Sequence, residues 1–231
     1  MKVGIMQPYF LPYIGYFALI NAVDKFVFLD DVQYIRRGWV HRNRIKIADA
    51  WHYITLPIKK APLSACINEV YIADDEERIN DLKTAIELSY KRCPYYTEIK
   101  DRLFDLIIPG ENVAKLNITL TTNICDYLKI DTQMVLSSDL KKDASLKGSQ
   151  RILDICKVLN GDHYINPIGG TELYSKQEFA ESGIKLNFLQ MNEISYFQGK
   201  HDFIPNLSII DVLMWSSPEA VKDILGNYRL V

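Results

Sequence analysis

Two apolar runs of strand length, Lys2–Met6 and Lys25–Leu29, flank a loop broken by Pro8 and Pro12 and a helical pattern from Phe17 to Val23. Parallel strands need a long crossover, usually a helix, and that crossover is nearly always right-handed. Neither proline can continue a ladder or a helix interior, so the ten residues from Gln7 to Tyr16 read as a loop. The expectation is a β-α-β unit that opens an α/β fold: a Rossmann-like, mostly parallel sheet flanked by helices. Ligands of such sheets lie beyond the carboxyl ends of the strands. Two segments fall there, Gln7–Tyr16 and Asp30–Lys46.

Both segments carry candidate binding chemistry. The first offers Gln7, Pro8, Tyr9, Gly15 and Tyr16, with Gly15 near a helix N-terminus, where backbone can approach an anion closely. The second begins with the pair Asp30-Asp31 and continues through Tyr34, Arg36, Arg37, Trp39, His41, Arg42, Asn43, Arg44 and Lys46. A guanidinium group grips phosphate as a two-pronged fork. A cationic patch confined to a few residues suits a bound phosphate better than a long polyanion. Most charge runs are merely solvated, so the weight of this cluster lies in its coincidence with two carboxylates and an exposed-type aromatic at a strand end.

The remaining chain of 231 residues is balanced in charge, net −2 with pI about 6.1. That is not the composition of a general nucleic-acid binder. No stretch reaches the roughly 18 apolar residues of a membrane span. Met1-Lys2 leads straight into a strand without a small-residue cleavage site, so no secretory signal is expected. The four cysteines, Cys66, Cys93, Cys125 and Cys156, form no CxxC pair, and a reducing, cytoplasmic setting is the expectation.

Further along, Trp51–Ile58 reads as an edge strand, since Pro57 cannot donate to a ladder. Asn68–Ile72 reads as a short strand. Helices are expected from about Glu76 to Arg92, from Thr97, and from Asn112 to Leu128, each with apolar residues at helical spacing. These make a helical middle, a possible lobe at about 75–130 within one domain spanning 1–231. Gln133–Leu136 returns to strand. Ser149 is the expected N-cap of the next helix, where Lys147 and Arg151 would suit a phosphate. His163–Ile165 leads into a second strand-end loop containing Asn166, Gly169 and Gly170, which could close over a substrate. Tyr174 and Phe179 open a further helix, Lys185–Leu189 is the expected last strand, and Ile209–Trp215 a last helix holding Asp211 in an apolar run. Several tyrosines, among them Tyr9, Tyr13, Tyr16, Tyr34, Tyr164 and Tyr174, stand where loops line pockets.

The blocks Gly4–Phe17, Asp30-Asp31-Val32-Gln33-Tyr34 and Trp39–Lys46 resemble the WbqC-like family, as do Tyr164–Gly170 and Leu207–Leu213. The resemblance implies a place in O-antigen or other surface-polysaccharide biosynthesis and a glycyl- or aminoacyl-transferase role on an amino sugar carried by a nucleotide. A second, weaker likeness is to the HIGH-motif nucleotidylyltransferases, in which two histidines around a glycine hold ATP. Here Tyr13 and Tyr16 stand at those places, which counts against adenylyl transfer.

Three readings follow. In the first, a transferase acylates a nucleotide-linked amino sugar: Arg36, Arg37, Arg42, Arg44 and Lys46 hold the diphosphate, Trp39 or Tyr34 stacks on base or sugar, and Asp30, Asp31 or His41 is the general base. Its co-substrate is an activated acyl donor. In the second, a ligase-like enzyme uses ATP, with Asp30 and Asp31 positioning Mg²⁺. In the third, the chain is a non-enzymatic assembly protein of the same pathway. The ligand class is a nucleotide-linked sugar or another phosphorylated small molecule. The oligomeric state is open.

Overall fold

The computed structural model describes residues 1–231. Strand β1 (Lys2–Met6), helix α1 (Ile14–Ala22) and strand β2 (Lys25–Phe28) form the opening crossover, with β1 and β2 parallel from Val3 opposite Lys25 to Met6 opposite Phe28. Alternation along these strands divides the core. Val3, Ile5 and Val27 point to one face, whereas Phe26 and Phe28 point to the other, where α1 lies. Because both faces are covered, the strands are continuous apolar runs rather than alternating ones. Gly4 lets α1 close down, since a Cβ there would lie 3.3 Å from Phe26 and 3.4 Å from Leu19.

The basic segment departs from expectation. Arg42–Ile47 is itself a strand, β3, paired antiparallel with β4 (Ala50–Thr55) in a separate two-stranded hairpin. The expected strand at Trp51–Ile58 is therefore shorter and belongs to this hairpin. Residues Ile67–Glu69 form a single 3-10 turn rather than a strand, and Tyr71 and Ile72 make only isolated bridges.

Three helices follow, α2 (Glu76–Tyr90), α3 (Tyr96–Leu103) and α4 (Val113–Tyr127). Side-chain caps start two of them: Asp75 accepts from the Arg78 amide at 3.1 Å, and Asn112 from the Lys115 amide at 3.1 Å. Their stripes, including Ile86, Ile99 and Leu120, join the same apolar cluster as α1. After β5 (Gln133–Leu136), helix α5 (Gly148–Val158) crosses the opposite face to β6 (His163–Pro167). Its N-cap is Lys147, not Ser149, whose hydroxyl instead donates to Glu178 at 2.6 Å. Arg151 likewise serves the protein: it donates to the Asp31 carbonyl at 3.2 Å. Helix α6 (Lys176–Glu181), strand β7 (Lys185–Met191), helices α7 (Ile209–Trp215) and α8 (Pro218–Leu225) and strand β8 (Tyr228–Leu230) complete the chain. Tyr174 lies before α6 rather than within it, and β8, antiparallel to β7, is an unexpected final edge strand.

The six-stranded sheet runs β5-β2-β1-β6-β7-β8, with every pairing parallel except β7-β8. This is the 3-2-1-4-5 order of doubly wound folds among the parallel strands. Winding reverses between β1 and β6, because α1 and α5 cover opposite faces. A crevice must open there at the strands' carboxyl ends. Cys125 and Cys156 are buried apolar groups, both thiols pushed up to about 12 by burial. No helix is long and apolar enough to cross a membrane.

Candidate functional site

Met6 ends β1 and Pro167 ends β6, side by side at the reversal. Above them opens a cleft in two chambers that share Met6, Tyr9, Trp39, Pro167 and Gly169. One chamber, about 410 Å³, is lined by Tyr9, Pro12, Tyr13 and Tyr16 from the loop after β1 and the first turn of α1, and by Trp39, Asn43, Arg44, Ile168 and Asn206 from later segments. Its neighbour, about 440 Å³, adds Gln7, Asn166, Gly170 and Tyr174 together with the apolar Ile5, Leu29 and Ile152 and the exposed Leu173. Each is large enough for a small-molecule fragment, and the pair for a ligand of nucleotide-sugar size.

Two buried carboxamides hold the cleft's loops. Asn43 Nδ2 donates to the carbonyls of Phe10 (3.0 Å) and Leu11 (2.8 Å). Asn117 of α4 donates to Pro8 O (2.9 Å) and Val40 O (2.7 Å), tying the loop after β1 to the loop before β3. The loop is strained at Leu11, whose φ is 43°. Gly15 has a use other than ligand approach: a Cβ there would sit 2.4 Å from the Tyr13 ring, so its absence makes room for a cleft-wall tyrosine. Gly170 similarly accommodates Asn166, whose Oδ1 would meet its Cβ at 1.9 Å. The Asn166 amide donates to Tyr164 Oη at 2.5 Å. Gly169, by contrast, faces open space.

Protonation in the cleft is one-sided. Burial raises the Tyr9 phenol above its usual 10, helped by Tyr13 and Tyr174 nearby. Burial alone raises Tyr13, and burial raises Tyr16 well above 10. Tyr16 donates to Gln7 O at 2.9 Å, while Tyr9 and Tyr13 keep hydroxyls for a ligand. The only guanidinium on the wall is that of Arg44, which lies 5.5 Å from the Trp39 ring and 5.3 Å from the Trp51 ring and donates to Asn206 O at 3.2 Å. Neither chamber is lined by a carboxylate or a histidine.

Of the residues expected from sequence, Gln7, Tyr9, Tyr16, Trp39, Asn43, Arg44, Asn166, Gly169 and Gly170 therefore meet in one place. The others do not line it. Asp30 is buried, its oxygens taken by the Ser138 amide (3.0 Å), the Ser138 hydroxyl (2.7 Å) and Asn68 (3.4 Å). Asp31 pairs with Lys142 at 2.6 Å. Burial would raise its carboxyl, but Lys142, with Ser137 and Arg151, holds it below 3.8. The acidic pair thus fastens β2 to the segment after β5. Pro8 contributes its carbonyl to Asn117, Arg36 donates to Ala61 O at 3.0 Å, and Arg42 donates to the carbonyl of Arg37. Lys46 is buried under the carbonyls of Gln198, His201 and Asp202, the last at 2.7 Å. Asp30 and Arg42 share no cavity wall in the cleft.

His41 Nδ1 and Tyr34 Oη share a 2.8 Å hydrogen bond. Burial and the Arg42 charge lower its pKa from 6.5 to about 4, so it is a neutral ring at pH 7. The unfolded chain binds this proton more readily than the folded one. Stability from neutral His41 is accordingly complete above pH 6.5 and declines as pH falls toward about 4. Proton NMR of the histidine ring should show no titration of His41 between pH 5.5 and 8, whereas a midpoint near 6.5 would contradict its placement.

Tyr13 and Tyr174 were visible as loop tyrosines. Met6, Pro12, Pro167, Ile168, Leu173 and Asn206 carried no chemical signal in the sequence. Asn206 arrives from the irregular stretch before α7, and its φ of 57° is of the kind asparagine tolerates best.

The WbqC-like protein family model matches residues 7–223, which contain every polar residue of the cleft wall. An uncharacterized protein of Mycobacterium tuberculosis, Rv1507c, is 30% identical over 223 residues, 95% of this chain and 95% of its own length. No solved structure matches the chain.

Proposed function

We propose that this chain, which belongs to the WbqC-like protein family, binds a nucleotide-linked amino sugar in the switch-point cleft and transfers an acyl group to the sugar's amine. The observation that carries the reading is the cleft itself: aromatic walls, carboxamide groups and one guanidinium, gathered where doubly wound sheets take nucleotide ligands. Aromatic faces suit sugar and base planes, Gln7 and Asn166 suit hydroxyl groups, and Arg44 suits phosphate.

The chemistry follows from what the walls hold. The sugar amine, entering as the free base, attacks the carbonyl carbon of the activated acyl donor; the C–N bond forms, the bond between the acyl carbon and the donor's leaving group breaks, and the amine proton passes to that leaving group. Protonated Tyr9 and Tyr13 are donors for the carbonyl oxygen as negative charge builds there. With no carboxylate or histidine lining the cleft, the protein's part is orientation and charge stabilisation. The rate should therefore follow the amine's own titration and show no enzyme group titrating between pH 6 and 8. An inflection near neutrality that belonged to the enzyme would contradict this.

Calorimetric titration with UDP-, GDP- and dTDP-linked amino sugars tests the reading. Gly169→Trp would fill the open space between the chambers, and since nothing crowds that position, the fold should be kept. Binding is expected for the wild type and not for this variant, with their melting temperatures alike. A wild type that binds none of these sugars overturns the proposal.

A further inference from the structure

Trp39, Asn43 and Arg44 of the hairpin region reach the cleft; the rest of the hairpin's outer face has no role in what precedes. Strand alternation places Arg42 and Arg44 on one face of β3, and Trp51 and Tyr53 of β4 on that same face, because Arg44 pairs with Tyr53. The side chains form a ladder of flat groups. The Arg42 guanidinium lies 4.3 Å from the Tyr53 ring centre, Tyr53 lies 5.2 Å from Trp51, and Arg44 lies between Trp51 and Trp39. Trp51 is 45% exposed and Tyr53 43%. Each guanidinium gives one Nη2 bond to a protein carbonyl, and the Nε of each has no partner.

We propose that this face is the platform for the nucleoside diphosphate half of the ligand. The base lies over Trp51 and Tyr53, the phosphates meet Arg44 and Arg42, and the sugar enters the cleft past Trp39. The proposal rests on the reading of the cleft as a nucleotide-sugar site and adds the ligand's direction. Charge and shape favour this occupant. A base needs a flat aromatic face, and a phosphate needs a guanidinium fork. An uncharged glycan would use the rings and leave the two cations without a partner. A nucleic-acid strand would need a longer cationic track than this. Here the track stops at Lys46, which is turned inward under the carbonyls of Gln198, His201 and Asp202. Continuity supplies the remaining argument, since Arg44 and Trp39 belong to both platform and cleft wall.

Calorimetry with UDP-glucosamine, UDP and glucosamine 1-phosphate separates the two halves. Both platform rings are solvent-facing, so Trp51→Ala/Tyr53→Ala should fold as the wild type does. It is expected to bind UDP-glucosamine and UDP roughly 10- to 100-fold more weakly, the loss expected for removing a stacking face, and to bind glucosamine 1-phosphate unchanged. Trp51→Phe, which keeps a ring, should restore most of the loss. Equal affinity of the double variant and the wild type for UDP-glucosamine overturns the platform and leaves the cleft reading standing. A wild type that binds a single-stranded oligonucleotide more tightly than UDP also overturns it. A wild type that binds none of these three ligands and none of the GDP- and dTDP-linked amino sugars overturns both.

Discussion

Asp211→Ala is expected to lower the melting temperature by roughly 10 °C, from a loss of about 3–5 kcal/mol at 2–4 °C per kcal/mol for a chain of this size. The carboxylate is fully buried in α7. Tyr90 Oη donates to Oδ2 at 2.7 Å, Tyr196 Oη to Oδ1 at 2.7 Å, and Gln198 Nε2 to Oδ1 at 2.9 Å. Burial pushes its pKa above 3.8 while the three donors pull the other way. Alanine would leave the buried Tyr90 phenol and the half-buried Tyr196 phenol without their acceptor, each orphaned group costing about 1–3 kcal/mol, while Gln198 keeps the Ile204 carbonyl. It would also slacken the stretch from Asn192 to Leu207, because Gln198 fixes Ile204 through the same side chain. Asp211→Asn keeps the volume and one acceptor oxygen and should lose about half as much. Thermal unfolding followed by circular dichroism decides it. An alanine variant melting within about 3 °C of the wild type would mean the network adds little.

That network also marks where the sequence stopped being legible. An aspartate within Ile209–Trp215 was recognisable as an oddity, but its partners lie 121 and 15 residues away, and no local pattern joins them. The acidic pair at Asp30-Asp31 misleads for the same reason. Two carboxylates at a strand's end resemble catalytic groups until Ser138, 108 residues further on, and Lys142 are seen to occupy them. The parallel strands were legible because burial on both faces writes them as unbroken apolar runs. Strand β3 was not, since its charges hid the alternation of buried Asn43 and Ile45 with Arg42 and Arg44. Edge strand β8 is only three residues long and half exposed, too short for a periodic signal. In the cleft, glycines and aromatics beyond strand ends announced themselves. Aliphatic wall residues did not, because an isoleucine lining a pocket reads like one in a core.

Asn117→Leu should cost about 2–5 kcal/mol and, in protein that remains folded at 20 °C, abolish ligand binding at the cleft. Asn117 is fully buried in α4, far along the chain from the cleft walls, and its amide caps both Pro8 O and Val40 O. Leucine fits the volume but donates nothing, so two buried carbonyls lose their partner. Tyr9 follows Pro8 directly and Trp39 precedes Val40, so two of the wall residues shared by both chambers lie next to the carbonyls this side chain holds. The Trp39 contact also holds the loop by backbone, Phe10 N donating to Trp39 O at 2.9 Å. Asn117→Leu separates two accounts of the helical middle. If α2–α4 only cover the sheet, stability falls and the affinity of the surviving folded protein is unchanged. If α4 sets the spacing of the two loops, affinity is lost before the fold is, and Asn117→Gln, whose longer amide can reach only one carbonyl well, recovers part of both. Calorimetry below the melting transition distinguishes them, and wild-type affinity in the leucine variant would exclude the second account.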